Sequence, residues 1–140
     1  MKRSARFTFL FCIALVISLF CGCSHRKEPI RPTVVTGITV TYENGPISAR
    51  RYYSTSAKMR AILNYLRWID PYGAPEVDPE NVSGSNFSIV LSYSDGREKL
   101  YRQKADSYLL EEGHPWRKID PDRAMTLGKM LGEMESDQVK

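Results

Sequence analysis

After Cys23 the chain has no further cysteine, and over its full length it has only two histidines, His25 and His114. Neither an intramolecular disulfide nor a cysteine metal site can form in the part that follows Cys23, and zinc, which needs three or four ligands at workable spacing, finds too few. No glycine-rich stretch follows a strand and opens a helix, so phosphate-cradling and dinucleotide motifs are both missing and no cofactor is expected. Positive excess is also scarce. Setting aside Lys2, Arg3 and Arg6 leaves 17 basic residues against 16 acidic ones, so the formal charge of +4 belongs mostly to the N-terminus. A nucleic-acid binder needs a clustered positive footprint, and near-neutrality argues against one. With 140 residues there is room for one small domain.

An apolar run is present, but it is short. Met1 to Arg6 is positively charged, and Phe7 to Phe20 is apolar over 14 residues, interrupted by Thr8 and Ser18. A membrane-crossing helix needs about 20 apolar residues, so this is the pattern of an export signal rather than of a span. The run ends in Leu19-Phe20-Cys21-Gly22-Cys23, which resembles the lipobox of bacterial lipoproteins, with Phe20 and Cys21 departing from the usual Leu and Ala or Ser. The resemblance covers residues 1–23 and implies cleavage before Cys23, which would carry a thioether-linked diacylglycerol on the outer face of the cytoplasmic membrane. Two acyl chains, at about 0.8 kcal/mol per buried CH₂, make a stable anchor. By the same resemblance, Ser24 after the cysteine favours the outer membrane in a cell that has one.

The expected organisation is a signal over 1–22, the lipidated cysteine with a polar, proline-marked tether over 23–32, and a single domain over 33–140. Nine extended tether residues, Ser24 to Pro32, span on the order of 30 Å and let the domain stand off the lipid.

Within the domain, Val34, Thr36, Ile38, Val40 and Tyr42 alternate with Val35, Gly37, Thr39 and Thr41, which predicts a strand. Asn44-Gly45 predicts a tight reversal, with Pro46 able to lengthen it, into a second strand over Ile47 to Tyr53. Ser54-Thr55-Ser56 offers N-cap hydroxyls for a helix carrying Met59, Ile62, Leu63, Leu66 and Ile69, which Pro71 ends. Asp70 to Asn86 reads as a long acidic loop. Phe87 to Tyr93 and the stretch after Asp95-Gly96 read as a hairpin with a two-residue loop, placing Leu91 opposite Leu100 and Val90 opposite Tyr101. A short strand over Ser107 to Leu110 follows a turn at Ala105-Asp106, and a loop then leads to Trp116. Asp120-Pro121-Asp122 starts a last helix with the stripe Leu127, Met130, Leu131 and Met134, and the residues from Glu135 on read as a fraying end. The expected fold is α+β: an antiparallel sheet of about five strands in β-β-α-β-β-β-α order, with two helices packed on one face.

Three features carry candidate chemistry. Arg50, Arg51, Lys58, Arg60 and Arg67 occur without an intervening acid, beside Tyr52, Tyr53, Tyr65 and Trp68. Arg50, Arg51, Tyr52, Arg60 and Arg67 form the candidate binding surface, suited to a protein or an anionic envelope polymer. The plainer reading makes Lys58, Arg60 and Arg67 the solvated side of a helix, answered by the acidic loop. His114 is the single candidate general base, with Ser107, Glu111 and Glu112 near it in sequence, and would serve a small envelope hydrolase; the plainer reading is a rigid turn that docks Trp116. Ala124, Gly128 and Gly132 make a small-residue stripe on the last helix. Together these lead to an expectation of a membrane-anchored domain that binds rather than catalyses, with a structural spacer as the bland alternative.

Overall fold

In the computed structural model, which describes residues 34–137, strand β1 spans Val35–Asn44 and β2 spans Ile47–Tyr53. The signal, Cys23 and the tether lie outside the described residues. Asn44 pairs with Ile47, so the reversal holds only Gly45 and Pro46, with Gly45 at φ +57°. A positive corner followed by proline, whose ring keeps φ near −65°, has the signs of a type II′ turn and suits the strand twist. Pro46 therefore sits within the two-residue loop and does not lengthen it.

Simple alternation fails at the start of β1. The register with β3 slips between Val35 and Gly37. The extra residue of this bulge turns Val35, instead of Val34, to the face that holds Ile38 and Val40. Val35 is accordingly 5% exposed and Val34 37%.

Strand β3 (Asn86–Tyr93) pairs with β1 on the side away from β2, and β4 (Glu98–Lys104), β5 (Tyr108–Glu111) and β6 (Arg117–Lys118) follow in order. Every pairing is antiparallel. The sheet thus has six strands in the order β2-β1-β3-β4-β5-β6, one more than the sequence pattern suggests. The addition is β6, two residues long and without periodicity of its own. Tyr72 bridges to it, its N–H donating to the Lys118 carbonyl at 2.8 Å and its carbonyl accepting from Lys118 at 3.1 Å. Strands β2 and β3 run parallel with β1 between them, and such a pair needs a crossover. Helix α1 (Ser56–Trp68) supplies it, and α2 (Pro121–Glu133) follows β6.

The β3–β4 hairpin corrects the expected register. Tyr93 N–H donates to the Arg97 carbonyl at 2.9 Å, enclosing three residues, Ser94, Asp95 and Gly96, with Gly96 at φ +83°. Val90 therefore faces Leu100, Ile89 faces Tyr101 and Leu91 faces Lys99. One residue of slip exchanges the two faces of a strand, so Tyr101 enters the core and Leu100 joins the open side. The β4–β5 turn falls at Ala105-Asp106 as expected, both residues at φ near +50°.

One cluster forms the core. Ile38, Val40, Ile89, Leu91 and Leu109 from the sheet meet Ile62, Leu63 and Leu66 of α1 and Ala124, Leu127 and Leu131 of α2. Gln103 ties both helices to the same sheet face: Tyr65 Oη donates to its Oε1, and its Nε2 donates to the Ala124 carbonyl and to Asp106 Oδ1, each at 3.2 Å. The outward residues of the sheet are answered by the long loop. Glu80 accepts from both Nη atoms of Arg102 at 2.7 and 3.1 Å, and Lys118 pairs with Glu76 at 3.1 Å. Hydrogen bonding from Arg102 holds the Glu80 carboxyl below its usual range. These loop acids thus serve β4 and β6 rather than the basic residues of α1.

Helix α1 is capped from a distance. Its N-cap, Thr55, makes no side-chain capping bond. Instead Asp137 Oδ2 accepts from the N–H groups of Ser54 and Thr55, each at 2.8 Å, and Oδ1 pairs with Lys58. Asp137 N–H also donates to the Tyr52 carbonyl at 2.7 Å, and Ser136 Oγ accepts from Tyr52 N–H at 2.9 Å. Residues 135–137, expected to fray, are held along the β2 edge.

The hydrogen bond from Lys58, followed by those from Ser54 and Thr55, holds the Asp137 carboxyl far below the ordinary range. A carboxyl depressed on folding stabilises fully above its unfolded pKa, about 4, and this stabilisation is lost as pH falls through the folded value. Asp137→Asn is therefore expected to melt at lower temperature than the wild type at pH 7. The gap should narrow in thermal scans below pH 4, and a constant gap from pH 7 to pH 2 would count against this linkage.

Candidate functional site

The structure separates the basic and aromatic residues that lie close in sequence. Strand period places Arg50 and Tyr52 on the outer face of β2 and Arg51 and Tyr53 on the inner face. The Tyr52 ring covers Gly37, where a Cβ would lie 2.6 Å from its Oη. Arg51 Nη1 donates to the carbonyls of Leu131 and Met134, the latter at 3.1 Å, so its guanidinium satisfies the C-terminal end of α2. Arg60 and Arg67 are exposed on α1, which packs on the inner face, so Arg50 and Tyr52 lie across the sheet from them. Arg51→Met is expected to lower stability by about 1–3 kcal/mol through lost charge-assisted bonds. Arg60→Ala should stay within about 0.5 kcal/mol of wild type, as for exposed sites generally. Urea titrations of the two variants would compare them directly.

His114 lies exposed in the turn after β5, its backbone N–H donating to the Glu111 carbonyl at 2.9 Å. The groups near it in sequence have further partners of their own. Glu111 pairs with Lys99 at 2.7 Å, Glu112 Oε2 accepts from Leu100 N–H at 3.0 Å, and Ser107 Oγ donates to the Ala105 carbonyl at 3.0 Å. Burial pulls the Lys99 ammonium down, but the hydrogen bond to Glu111 together with the charges of Tyr101 and Glu111 outweighs it and leaves its pKa raised. Burial, reinforced by the negative charge of Glu111, pushes the Tyr101 phenol up to about 12. Trp116 docks on the outer side of the sheet, with the Arg102 guanidinium 5.4 Å from its ring centroid.

A different place emerges as a candidate site. Between α2 and the β2-β1-β3 part of the sheet runs a groove of about 370 Å³. Val40, Tyr42, Phe87, Met125 and Leu131 give it apolar walls, and Arg51 and Asp106 also line it. Two members of the small-residue stripe, Gly128 and Gly132, form its helical wall, whereas Ala124 is buried in the core. A Cβ on Gly128 would touch Phe87 Cζ at 3.6 Å, and one on Gly132 would meet nothing within 4 Å. Tyr53 lines the same groove with its side chain fully buried, and its hydroxyl has no hydrogen-bond partner.

In the sequence the glycine spacing suits close approach of another element or an exposed face; the structure instead sets Gly128 and Gly132 along this groove. Tyr53, grouped in the sequence with the basic residues of a surface, is instead buried, because strand period turns it to the inner face of β2. The chain matches no known protein family, curated protein or solved structure. Among the described residues, no helix is long and apolar enough to cross a membrane.

Proposed function

We propose that this chain is a lipoprotein held to the outer face of the cytoplasmic membrane, or to an outer membrane, through Cys23, and that its α+β domain acts by non-covalent binding. Gly22-Cys23 at the end of a short apolar run supports the anchor. The groove under α2 supports the binding role. It has the size and mainly apolar lining of ligand sites, with a few polar groups converging on it. The charged side chains first read as a contact surface do not converge in this way, since Arg51 is committed to the α2 carbonyls.

Labelled fatty acid should enter the wild-type protein and not Cys23→Ser; label that persists in the variant would overturn the anchor. For the binding role, a photo-crosslinking residue at exposed Met125, used in the membrane-anchored protein, should yield one reproducible adduct. That adduct should disappear when Gly132→Leu fills the groove. If no adduct forms, the spacer reading replaces this one.

A further inference from the structure

We infer that the open edge of β2 takes an extended acidic segment of a partner protein as an added antiparallel strand, with one large apolar side chain of that segment in the groove under α2. The inference rests on the groove being a binding site and specifies the partner that site would hold.

The backbone dictates an extended guest. Strand β2 ends the sheet and is bonded to β1 on one side only. Tyr52 turns its N–H and carbonyl away from β1, the first donating to Ser136 Oγ at 2.9 Å and the second accepting from Asp137 N–H at 2.7 Å. Antiparallel pairs alternate between bonded and non-bonded positions, so Arg50 and Ser48, at the same parity as Tyr52, also turn their backbone groups outward. Both residues are exposed, and no described residue bonds to them on that side. Their N–H and carbonyl groups therefore form an open edge, which an added strand satisfies in register. The reversal at Gly45-Pro46 bounds this edge at one end and Ser136 at the other, so the guest is short, about five residues.

The side chains set its chemistry. In an antiparallel addition, the guest residues opposite Ser48 and Arg50 share their outer face, and the residue between lies opposite Ala49 on the inner face. Ala49 is exposed and lines the groove, a low rim over which a large apolar side chain can enter. The space of about 370 Å³ beyond it has room for one. On the outer face Arg50 is exposed, and none of the ion pairs among the described residues includes it. Glu43, the acid close to it in register, accepts from Asn86 Nδ2 at 3.2 Å on the β3 side. A guest carboxylate gains a partner in Arg50, and a guest ammonium meets like charge.

A second copy of β2 fits this edge less well. Antiparallel pairing about Ala49 would bring the two Arg50 side chains within diagonal reach of each other and set Ala49 against Ala49, leaving the groove empty.

The test uses the chain from residue 23 onward with Cys23→Ser, which contains every described element. The probe is the end-blocked peptide Thr-Glu-Phe-Glu-Thr, titrated by NMR. It should bind, slow solvent exchange at the Ser48 and Arg50 amides, and shift the signals of Gly128 and Gly132. N-methylation of both Glu residues, whose amides face β2, should weaken binding about 30-fold, the value of two net hydrogen bonds. The isomer methylated at Phe and the last Thr, whose amides face away, should bind nearly as the parent does. Thr-Lys-Phe-Lys-Thr should bind about fivefold more weakly, and Arg50→Glu should reverse that order. Ser48→Pro removes an outward N–H and no ladder bond, and should weaken the parent peptide about fivefold. Gly132→Leu, a change that favours helix and fills the groove, should bring the parent down to the level of Thr-Glu-Ala-Glu-Thr.

Equal loss from the two methylated isomers, or loss from the second alone, would overturn the antiparallel strand. Preference of the wild type for the lysine peptide would overturn the acidic character, and equal binding of the Phe and Ala peptides would overturn the use of the groove. N-acetylphenylalaninamide binding as tightly as the parent would show that no strand is needed, and dimerisation that Ser48→Pro abolishes would make a second copy the occupant. If Ser48→Pro does not fold, the methylated isomers decide. If the parent peptide does not bind while the Met125 adduct still forms in membranes, the added strand fails and the binding function stands. If neither occurs, both fail.

Discussion

Gln103→Met is expected to lower the unfolding free energy by about 1–3 kcal/mol. Methionine approximates the volume of glutamine, so the change isolates the polar bridge between the helices from any cavity. It leaves the Tyr65 hydroxyl without its partner in a buried position and removes the side-chain bond to the Ala124 carbonyl, which sits within α2 and keeps its helical bond. Each buried group left unsatisfied costs about 1–3 kcal/mol. Burial, with the charge of Asp106 behind it, holds the Tyr65 phenol well above its ordinary range, so it stays a neutral donor that needs an acceptor. Tyr65→Phe with Gln103→Met should therefore cost less than the two single changes added, because the second removes a group the first has stranded. Chemical denaturation of the three variants at constant m-value measures this. Strict additivity would mean that the two side chains do not act as one network.

Leu127→Ala should cost about 2–5 kcal/mol, the range for emptying a fully buried leucine site. Helix α2 buries only Ala124, Leu127 and Leu131, so Leu127 supplies much of its hold on the sheet. Domains of this kind are stable by about 5–15 kcal/mol in total, which makes the loss a large share. Gly132→Ala on the same helix should move stability the other way by up to about 1 kcal/mol, because alanine favours helix and the space over Gly132 is open. Opposite shifts in thermal midpoint for the two variants would establish that α2 is held by its apolar stripe and weakened by its glycines. A destabilised Gly132→Ala would contradict this account.

Much of the fold was legible from local pattern. The alternation through Ile38, Val40 and Tyr42 and the 3.6-residue spacing of Ile62, Leu66 and Ile69 need no distant partner to be recognised. The same holds for Asp120, which accepts from Arg123 N–H at 3.0 Å with Pro121 behind it, as its sequence predicts. Register was less legible, because Asp95-Gly96 suits either a two-residue or a three-residue loop and one residue decides whether Leu100 or Tyr101 faces the core. Strand β6 left almost no signal, since Arg117 and Lys118 are strand only by virtue of Tyr108, Leu109 and Tyr72 beside them.

The candidate site divides the same way. A small-residue stripe at Gly128 and Gly132 was visible, but Arg51 was read as part of a surface when it serves a helix end 80 residues further along. Asp137 likewise caps a helix whose N-cap, Thr55, lies 82 residues before it, a task the sequence assigns to nearby serines and a threonine.

By itself the sequence determined a short apolar run that ends at Gly22-Cys23, the near-neutral charge beyond it, and an α+β plan of antiparallel strands and two amphipathic helices. These follow from composition and period, which are properties of contiguous residues. Tertiary structure alone decided the strand register, the remote caps at Arg51 and Asp137, the Gln103 bridge and the groove under α2. Each of these depends on which distant groups come within bonding distance, and residue spacing along the chain does not contain that information.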